Sequence, residues 1–203
     1  MNPFLITTLY SFKKEFFYVL LAFLLVILMP IIGVIILTRT GLDIVSERLV
    51  VVNKITNEVQ ILNPADGSVY KTIKGEFVWP VTGIVTLEFG KSSRWQLFHT
   101  GIDIANLEGK TGDLITPFMP GTVIYSGQIF WGFGKHVIVD HGDNLSSIYA
   151  HLDSVWVEVG DEVEPGDVIG TEGSTGWSTG PHLHFQINVF GIPVNPRVFL
   201  GGS

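Results

Sequence analysis

The sequence predicts a mainly β domain, a compact antiparallel sheet or barrel-like fold, preceded by one N-terminal helix. From Phe16 to Leu37 the chain has 22 residues without a charged side chain, whereas the sequence from Gly41 onward has ordinary polarity. Beyond residue 40, short runs of Val, Ile and aromatic residues are separated by glycines. No stretch there keeps a helical period of about 3.6 residues over ten residues, so many short strands are expected.

The charge-free run predicts a transmembrane helix over residues 16–37. A helix of that length measures roughly 33 Å, and the hydrocarbon core of a bilayer is about 30 Å thick. The alternatives are a buried core helix and a cleaved signal peptide, but Thr38-Arg39-Thr40 is not a small-x-small cleavage site. Lys13 and Lys14 precede the run and only Arg39 closely follows it. The positive-inside rule therefore predicts residues 1–15 in the cytoplasm and the domain outside.

Residues 38–75 are predicted to form a short linker and a small β-meander. Three β-like pieces occur at Leu49–Val52, Glu58–Leu62 and Ser68–Ile73. The last two are separated by Asn63-Pro-Ala-Asp-Gly67, in which Asp-Gly is a strong turn signal. The alternative is an extended stalk without a fold of its own.

Residues 76–203 are predicted to form the main β domain, with glycine-cornered turns suggesting a compact barrel. Its expected strands are Val81–Phe89, Gly121–Gly127, Lys135–His141, Ser147–Leu152, Asp167–Thr171 and Leu183–Val189.

Charge and cysteine content exclude several classes of function. After residue 40 the chain holds 9 basic and 18 acidic residues. Nucleic acid is therefore not an expected partner, because neutralising phosphates requires Lys and Arg on one face. The chain has no cysteine, which excludes disulfides and Cys-bound metals.

Two histidine motifs point to a metal site. In a strand, alternate side chains share a face, so His182 and His184 lie on one face, opposite Leu183 and Phe185. If the motif His99-Thr-Gly-Ile-Asp103 is extended, the side chains of His99 and Asp103 also lie on one face. Two imidazoles and a carboxylate suit Zn²⁺ with an open fourth position for water. Parity alone does not decide which of His182 and His184 binds the metal.

A third histidine could contribute to catalysis. His151 shares a predicted strand face with Tyr149, and an imidazole near zinc can orient water or stabilise an oxyanion. His136 and His141 are interpreted as hydrogen-bonded or surface residues, with His141 bracing a turn. Trp177 either lines a substrate groove or packs its loop on the domain.

Taken in order, these motifs resemble those of the lysostaphin/LytM-type zinc endopeptidases, which cleave peptide bonds in bacterial peptidoglycan. The resemblance extends from about Pro80 to Pro196. It is carried by Phe98-His99-Thr-Gly-Ile-Asp103-Ile-Ala, Gly134-Lys-His-Val-Ile-Val-Asp-His-Gly142, Tyr149-Ala-His151-Leu152 and Gly173-Ser-Thr-Gly-Trp-Ser-Thr-Gly-Pro-His182-Leu-His184-Phe185.

The resemblance assigns roles to these residues. It implies one zinc ion per chain bound by His99, Asp103 and His184, with His151 and His182 as the catalytic pair. It also implies a mainly antiparallel β fold for residues 76–203 and a peptidoglycan peptide as substrate. With the predicted anchor, the expected location is the bacterial cytoplasmic (inner) membrane, with the catalytic domain extracytoplasmic.

Two other functions are considered. Members of the family that have lost zinc ligands act as amidase activators or structural partners in the cell envelope. A non-enzymatic groove-binding module is therefore the main alternative, although this chain keeps all five positions. A metalloprotease acting on glycine-rich proteins is a weaker alternative. The sequence identifies no protein partner.

Overall fold

The computed structural model describes residues 3–53, 56, 58–75, 77–92 and 96–201. Contacts within the chain divide it into two compact units, Met1–Gly41 and Leu42–Ser203. Residues 1–2 and 202–203, at the outer ends of the predicted N-terminal segment and main domain, lie outside the described residues.

The chain begins with one long helix, α1, over Pro3–Leu49, which includes Pro30. Among the residues described, no helix is both long and apolar enough to cross a membrane. The membrane span predicted over residues 16–37 is therefore not supported by the structure. The stretch predicted as a linker, residues 38–47, is helical as well. Ser46 and Leu49, one helical turn apart, are both buried in the second unit.

A small antiparallel sheet occupies the region in which the sequence predicts a β-meander. Its strands are β1 (Val50–Asn53), β2 (Glu58–Leu62) and β3 (Val69–Ile73), in the order β1-β2-β3. This sheet contacts the rest of the second unit through Tyr70, whose hydroxyl accepts from the Asn144 side chain at 3.0 Å. The small sheet is therefore a folded part of the second unit, and the alternative of an extended stalk is wrong.

The remaining elements form two more sheets and a short final helix. They are β4 (Ile84–Leu87), β5 (Ile102–Ala105), β6 (Leu114–Ile115), β7 (Gly121–Gln128), β8 (Lys135–Asp140), β9 (Leu145–Ala150), β10 (Ser154–Val155), β11 (Glu162–Val163), β12 (Gly170–Thr171), β13 (Leu183–Val189), β14 (Ile192–Val194) and α2 (Arg197–Leu200).

The main sheet is antiparallel, with the order β11-β7-β8-β9-β13-β5-β4 and β14 paired to β13. Its two ends, β11 and β4, are not paired with each other, so the described strands close no barrel. The expected barrel-like closure is therefore wrong. Two glycine-rich pieces, Pro120–Gly127 and Val155–Gly170, are predicted to form barrel corners. The first lies largely in β7, whereas the second contributes to the two-residue strands β10, β11 and β12. Of these, β10 and β12 join β6 in a separate sheet, β10-β12-β6.

The core lies on the apolar face of the main sheet. Leu183, Phe185 and Ile187 of β13 are fully buried, as the alternation of β13 predicts. Tyr149 is also fully buried, and its hydroxyl accepts from the Phe118 amide at 2.9 Å. Burial raises the pKa of this phenol, so Tyr149 stays neutral and serves as a structural hydrogen-bonding group.

Candidate metal centre and catalytic cleft

Pairing of β5 with β13 brings the two histidine motifs together. The register places Asp103 directly opposite His184, a residue 81 positions later in the chain. His99 lies in the loop before β5. Its amide donates to the Lys91 carbonyl at 2.9 Å, and its carbonyl accepts from the Gly90 amide at 2.8 Å. These bonds fold the loop back so that the His99 side chain reaches the other two.

Three side-chain atoms converge there: His99 Nε2, Asp103 Oδ1 and His184 Nδ1. The two distances from His99 Nε2 are both 2.9 Å, and Asp103 Oδ1 lies 3.0 Å from His184 Nδ1. Both histidines are at most 3% exposed, whereas the Asp103 side chain is 15% exposed. The cluster is therefore nearly buried and meets solvent mainly at Asp103.

The donor set fits a metal ion. Hydrogen bonds do not satisfy all three atoms of such a triangle, because an N–H group points at one acceptor. The hydrogen bond weakens steeply when the N–H group is bent towards a second acceptor. A cation accepts all three lone pairs at once. Zinc ligands at about 2.0–2.2 Å lie roughly 3.3 Å apart in a tetrahedral site, close to the separations found here. Two imidazoles and one carboxylate also leave the fourth position open, as in catalytic zinc sites.

Neighbouring oxygens fix the tautomer of each imidazole. His99 Nδ1 lies 3.3 Å from the Glu88 carbonyl, and His184 Nε2 lies 3.4 Å from Gln186 Oε1. Each of these oxygens can only accept a hydrogen bond, so each nitrogen donates to it in the tautomer that suits metal binding. The nitrogen that faces the triangle therefore keeps its lone pair for a metal.

Gln186 has a supporting role that the sequence did not reveal. Its side-chain oxygen also accepts from Thr100 Oγ1 at 2.5 Å, and its amide nitrogen donates to Asn188 Oδ1 at 2.7 Å. Gln186 is only 5% exposed. The parity of β13 places Gln186 and Asn188 on the face of His184, and that is the signal in the sequence that could have identified them.

The protonation states suit metal ligation. Burial raises the pKa of Asp103, but the hydrogen bonds and charges of His184 and His99 outweigh burial and hold this pKa well below its usual range. Burial lowers the pKa of His184, although Asp103 acts in the opposite direction. A carboxylate and a neutral imidazole are the forms that bind metals.

His151 lies close to this cluster, at the end of β9. Its ring centroid is 5.8 Å from that of His184 and 4.8 Å from that of His182. His151 Nδ1 donates to the Thr175 carbonyl at 2.7 Å, which leaves Nε2 as the free nitrogen. The backbone of His151 is left-handed, with φ 64°, a conformation that non-glycine residues rarely adopt and that occurs at functional sites.

His151 is held neutral. Burial, reinforced by the neighbouring His182 and His184, lowers the pKa of His151 to about 3. A neutral imidazole keeps its Nε2 lone pair free to accept a hydrogen bond from water.

His182 completes the group of five predicted residues. Its Nδ1 donates to the Gly180 carbonyl at 2.8 Å, and its Nε2 lies 3.6 Å from Asp103 Oδ2. The structure thus brings His182 next to the triangle, although His182 contributes no atom to it.

These side chains line an open cleft with a volume of about 430 Å³. Trp177 lies on its wall and is 55% exposed. Of the two alternatives for Trp177, the structure favours the one in which it lines the groove.

The other two histidines lie outside the cleft. His136 stacks on Tyr125 with ring centroids 4.3 Å apart, and burial lowers its pKa. His141 bonds the Pro120 carbonyl at 2.7 Å and Ser147 Oγ at 2.8 Å, and burial lowers its pKa to about 4. Both are structural, as the sequence predicts.

Comparison with known proteins identifies relatives over the same part of the chain. Residues 97–196 match the sequence profile of Peptidase family M23. The chain is 40% identical over 122 residues to the murein hydrolase activator NlpD of Salmonella dublin, covering 60% of this chain and 30% of that protein. It is 40% identical over 102 residues to the DD-carboxypeptidase/endopeptidase Mpg of Neisseria meningitidis, covering 50% of this chain and 22% of that protein. The chain thus spans less than a third of the length of these curated relatives.

A solved structure supports the same conclusion. The catalytic domain of a point mutant of the prophage-encoded M23 protein EnpA from Enterococcus faecalis is 36% identical, with a TM-score of 0.52. The similarity covers 59% of this chain and 92% of that domain. The profile, the identity and the shared fold agree, and the chain belongs to peptidase family M23 through the domain that contains the histidine and aspartate cluster.

Proposed function

We propose that this protein is a zinc-dependent endopeptidase that hydrolyses peptide bonds in the stems or cross-bridges of peptidoglycan. The observation that carries the proposal is the convergence of His99, Asp103 and His184 within 3.0 Å beside two further imidazoles in an open cleft. The names of the relatives, one a murein hydrolase activator and one an endopeptidase, support peptidoglycan as the substrate.

His99, Asp103 and His184 would hold one zinc ion. Zinc bound there supplies a Lewis acid that acidifies water and polarises a carbonyl. The protein's own residues then account for the remaining chemistry. Glu88 and Gln186 keep the ligand imidazoles in the tautomer that presents a lone pair. The side chains that line the cleft position the peptide.

His151 and His182 are assigned the proton and charge chemistry. The Thr175 carbonyl holds the His151 ring so that Nε2 faces the cleft and can accept a hydrogen bond from the attacking water. The Gly180 carbonyl holds His182 in the same way, on the side of Asp103. The two imidazoles orient the water and stabilise the oxyanion that forms on the scissile carbonyl. No serine or cysteine nucleophile is required.

The direct test is mass spectrometry of muropeptides digested by the purified full-length chain with zinc. We expect cleavage of a peptide bond and none of the glycan. The variants His99→Ala, Asp103→Ala and His184→Ala should lose tight zinc binding, while His136→Ala, a buried histidine outside the cleft, should keep it. Unchanged zinc content in the three ligand variants would overturn the ligand assignment.

A second set of variants separates catalysis from metal binding. His151→Ala and His182→Ala should retain zinc and the fold but lose about 10²–10⁴ in turnover. Near-normal cleavage by both variants, singly and combined, would refute their catalytic role.

A non-enzymatic function is the alternative, favoured by the 40% identity to a murein hydrolase activator. In that case the cleft would bind a partner amidase. The wild-type chain would release no peptide product alone, but it would increase glycan–peptide cleavage when a peptidoglycan amidase is added. The same mass spectrometry distinguishes the two functions, since the products differ in the bond that is broken.

We also propose that residues 16–37 anchor the protein in the cytoplasmic membrane with the domain outside. The support is the charge-free run of 22 residues and the two lysines before it. Cysteine labelling from outside intact cells should modify a Cys introduced at Glu108, which is exposed, and not one at Lys13. The reverse pattern, or recovery of the protein in the soluble fraction, would contradict the proposal.

A further inference from the structure

Thr175 lies in the loop between β12 and β13 and bonds to His151 and to its neighbours. The Thr175 carbonyl accepts from His151 Nδ1 at 2.7 Å. The Thr175 hydroxyl accepts from the Lys135 amide and donates to the Leu152 carbonyl, both at 2.9 Å. A hydroxyl group is a donor and an acceptor at once, so this one group connects two backbone segments. Thr175 therefore joins three parts of the chain: its own loop, the start of β8 and the segment just after β9.

The backbone of His151 is in a conformation that needs support from its surroundings. Its φ of 64° is left-handed, and a residue with a side chain keeps such a φ only where the neighbouring structure fixes it. The His151 amide donates to the Phe133 carbonyl at 2.9 Å, and the Leu152 amide donates to the Lys135 carbonyl at 3.0 Å. The Lys135 amide, in turn, donates to the Thr175 hydroxyl. The hydroxyl thus completes a set of bonds that encloses His151.

The loop that carries Thr175 is packed closely against the loop between β7 and β8. A Cβ atom at Gly134 would lie 2.5 Å from Thr175 Oγ1. The Trp177 amide also donates to the Gly132 carbonyl at 2.9 Å. Removal of the hydroxyl would leave two backbone groups without this partner, and an unsatisfied group in a poorly solvated place is costly. Water must then enter or the loop must shift, and either change moves the Thr175 carbonyl.

We infer that Thr175 is a positioning residue for His151. Its hydroxyl fixes the loop whose carbonyl holds the His151 ring, so that Nδ1 carries the proton and Nε2 is left free towards the cleft. Both bonds of the hydroxyl go to backbone groups outside the donor triangle, so Thr175 acts through His151 and not through the metal. The effect on turnover rests on the proposed peptidase function, whereas the state of the ring can be measured in an inactive protein as well.

The first test is nitrogen NMR of the histidine rings in the purified full-length chain with zinc bound. Comparison with His151→Ala identifies the two ring signals of His151, which report which nitrogen carries the proton. Thr175→Val keeps the shape of the side chain but removes the hydroxyl, so these two shifts should move towards each other as the second tautomer becomes populated. Thr175→Ser retains the hydroxyl and should restore the wild-type shifts. Thr122→Val changes a partly buried threonine of β7 outside the cleft and is the matched control.

The second test is the kinetics of muropeptide release by the same variants. The kcat of Thr175→Val should fall by about 10–100-fold, because a displacement of about 1 Å at a reacting group lowers the rate by about 10²-fold. KM should change less than kcat, since His151 is assigned to the transition state. Thr175→Ser should recover most of the turnover, and zinc content should stay as in wild type in every Thr175 variant.

Three results would overturn the inference. The first is an unchanged pair of His151 shifts in Thr175→Val. The second is a Thr175→Ser variant that behaves like Thr175→Val, which would assign the effect to the methyl group. The third is a loss of zinc from Thr175→Val, which would place the effect at the metal centre.

Two arrangements keep these outcomes decisive. If Thr175→Val does not fold, Thr175→Ala removes the hydroxyl without placing a methyl group against the two backbone groups, and it should give the same changes in the His151 shifts. If the wild-type chain releases no muropeptide, the proposed function fails, but the His151 shifts still decide whether the Thr175 hydroxyl positions this ring.

Discussion

Substitution of Gly101 by Ala, which adds a single methyl group, is predicted to disturb the metal centre. Gly101 lies between His99 and Asp103, where β5 approaches β13. A Cβ atom at Gly101 would lie 2.3 Å from the Phe185 carbonyl oxygen and 3.0 Å from His184 Cε1. An ordinary contact begins near 3.4 Å, so Gly101→Ala requires a local separation of about 1.1 Å in a close-packed interior.

The separation acts directly on the donor triangle. Phe185 neighbours His184 on β13, and β5 carries Asp103, so moving the two strands apart lengthens the 3.0 Å distance between Asp103 and His184. Overpacking of this kind destabilises a protein by about 1–3 kcal/mol. Misplacing a metal ligand lowers metal affinity by roughly 10–100-fold, and a displacement of about 1 Å at a reacting centre lowers the rate by about 10²-fold.

The assay compares Gly101→Ala with Gly75→Ala, a position where an added Cβ meets no atom within 4 Å. Zinc affinity is measured by competition with a chelator, stability by thermal unfolding and activity by muropeptide release. We expect all three to fall in Gly101→Ala and none to change in Gly75→Ala. Wild-type zinc affinity in Gly101→Ala, with an unchanged unfolding midpoint, would refute the reasoning.

Two further predictions concern buried polar groups. Gln186→Leu removes the acceptor for His184 Nε2, so zinc affinity should fall about 10–100-fold. Gln186→Glu keeps an acceptor and should retain most of the zinc affinity. Equal zinc affinity in the wild type and in both variants would contradict this role of Gln186. The pKa of Glu172 is raised by burial from 4.5 to about 7, so its contribution to stability is complete below pH 4.5 and is lost as the pH rises through about 7. Glu172→Gln should therefore match wild type at pH 4.5 and exceed it at pH 8 by roughly 2 kcal/mol in denaturant unfolding, and a difference independent of pH would exclude ionisation of Glu172 as its cause.

The local features of the site follow from strand periodicity. In β13 the alternation correctly separates the buried Leu183 and Phe185 from the face that carries His184 and Gln186. It does not reveal that the second face is buried too, with His184 at 2% and Gln186 at 5% exposure. That burial comes from tertiary structure, because the loop that carries His99 and Thr100 folds over this face.

Pairings over long sequence separations could not be predicted from the residues alone. The two motifs alone do not predict that Asp103 lies opposite His184. This pairing depends on the order of the strands in the sheet. The same limit explains the wrong barrel prediction, since strands of two residues such as β10 and β12 are too short to show a period. Glu172, in a stretch between two glycine-containing turns, has the sequence appearance of an exposed loop residue, although it is completely buried.

The arrangement of the three ligand side chains bears on the choice between an enzyme and an activator. An activator needs a surface that complements its partner, and it gains nothing from two nearly buried imidazoles held 2.9 Å apart against a carboxylate. A cation satisfies all three of these groups at once, whereas an N–H group directed at one of them is poorly aligned with the next. The supporting hydrogen bonds from His99 to Glu88 and from His184 to Gln186 fix the tautomers that a metal requires. The His151 ring lies beside the same cluster with its Nδ1 already bonded, so its Nε2 is left for the reacting groups. These features together support the proposal of a metal-dependent hydrolase.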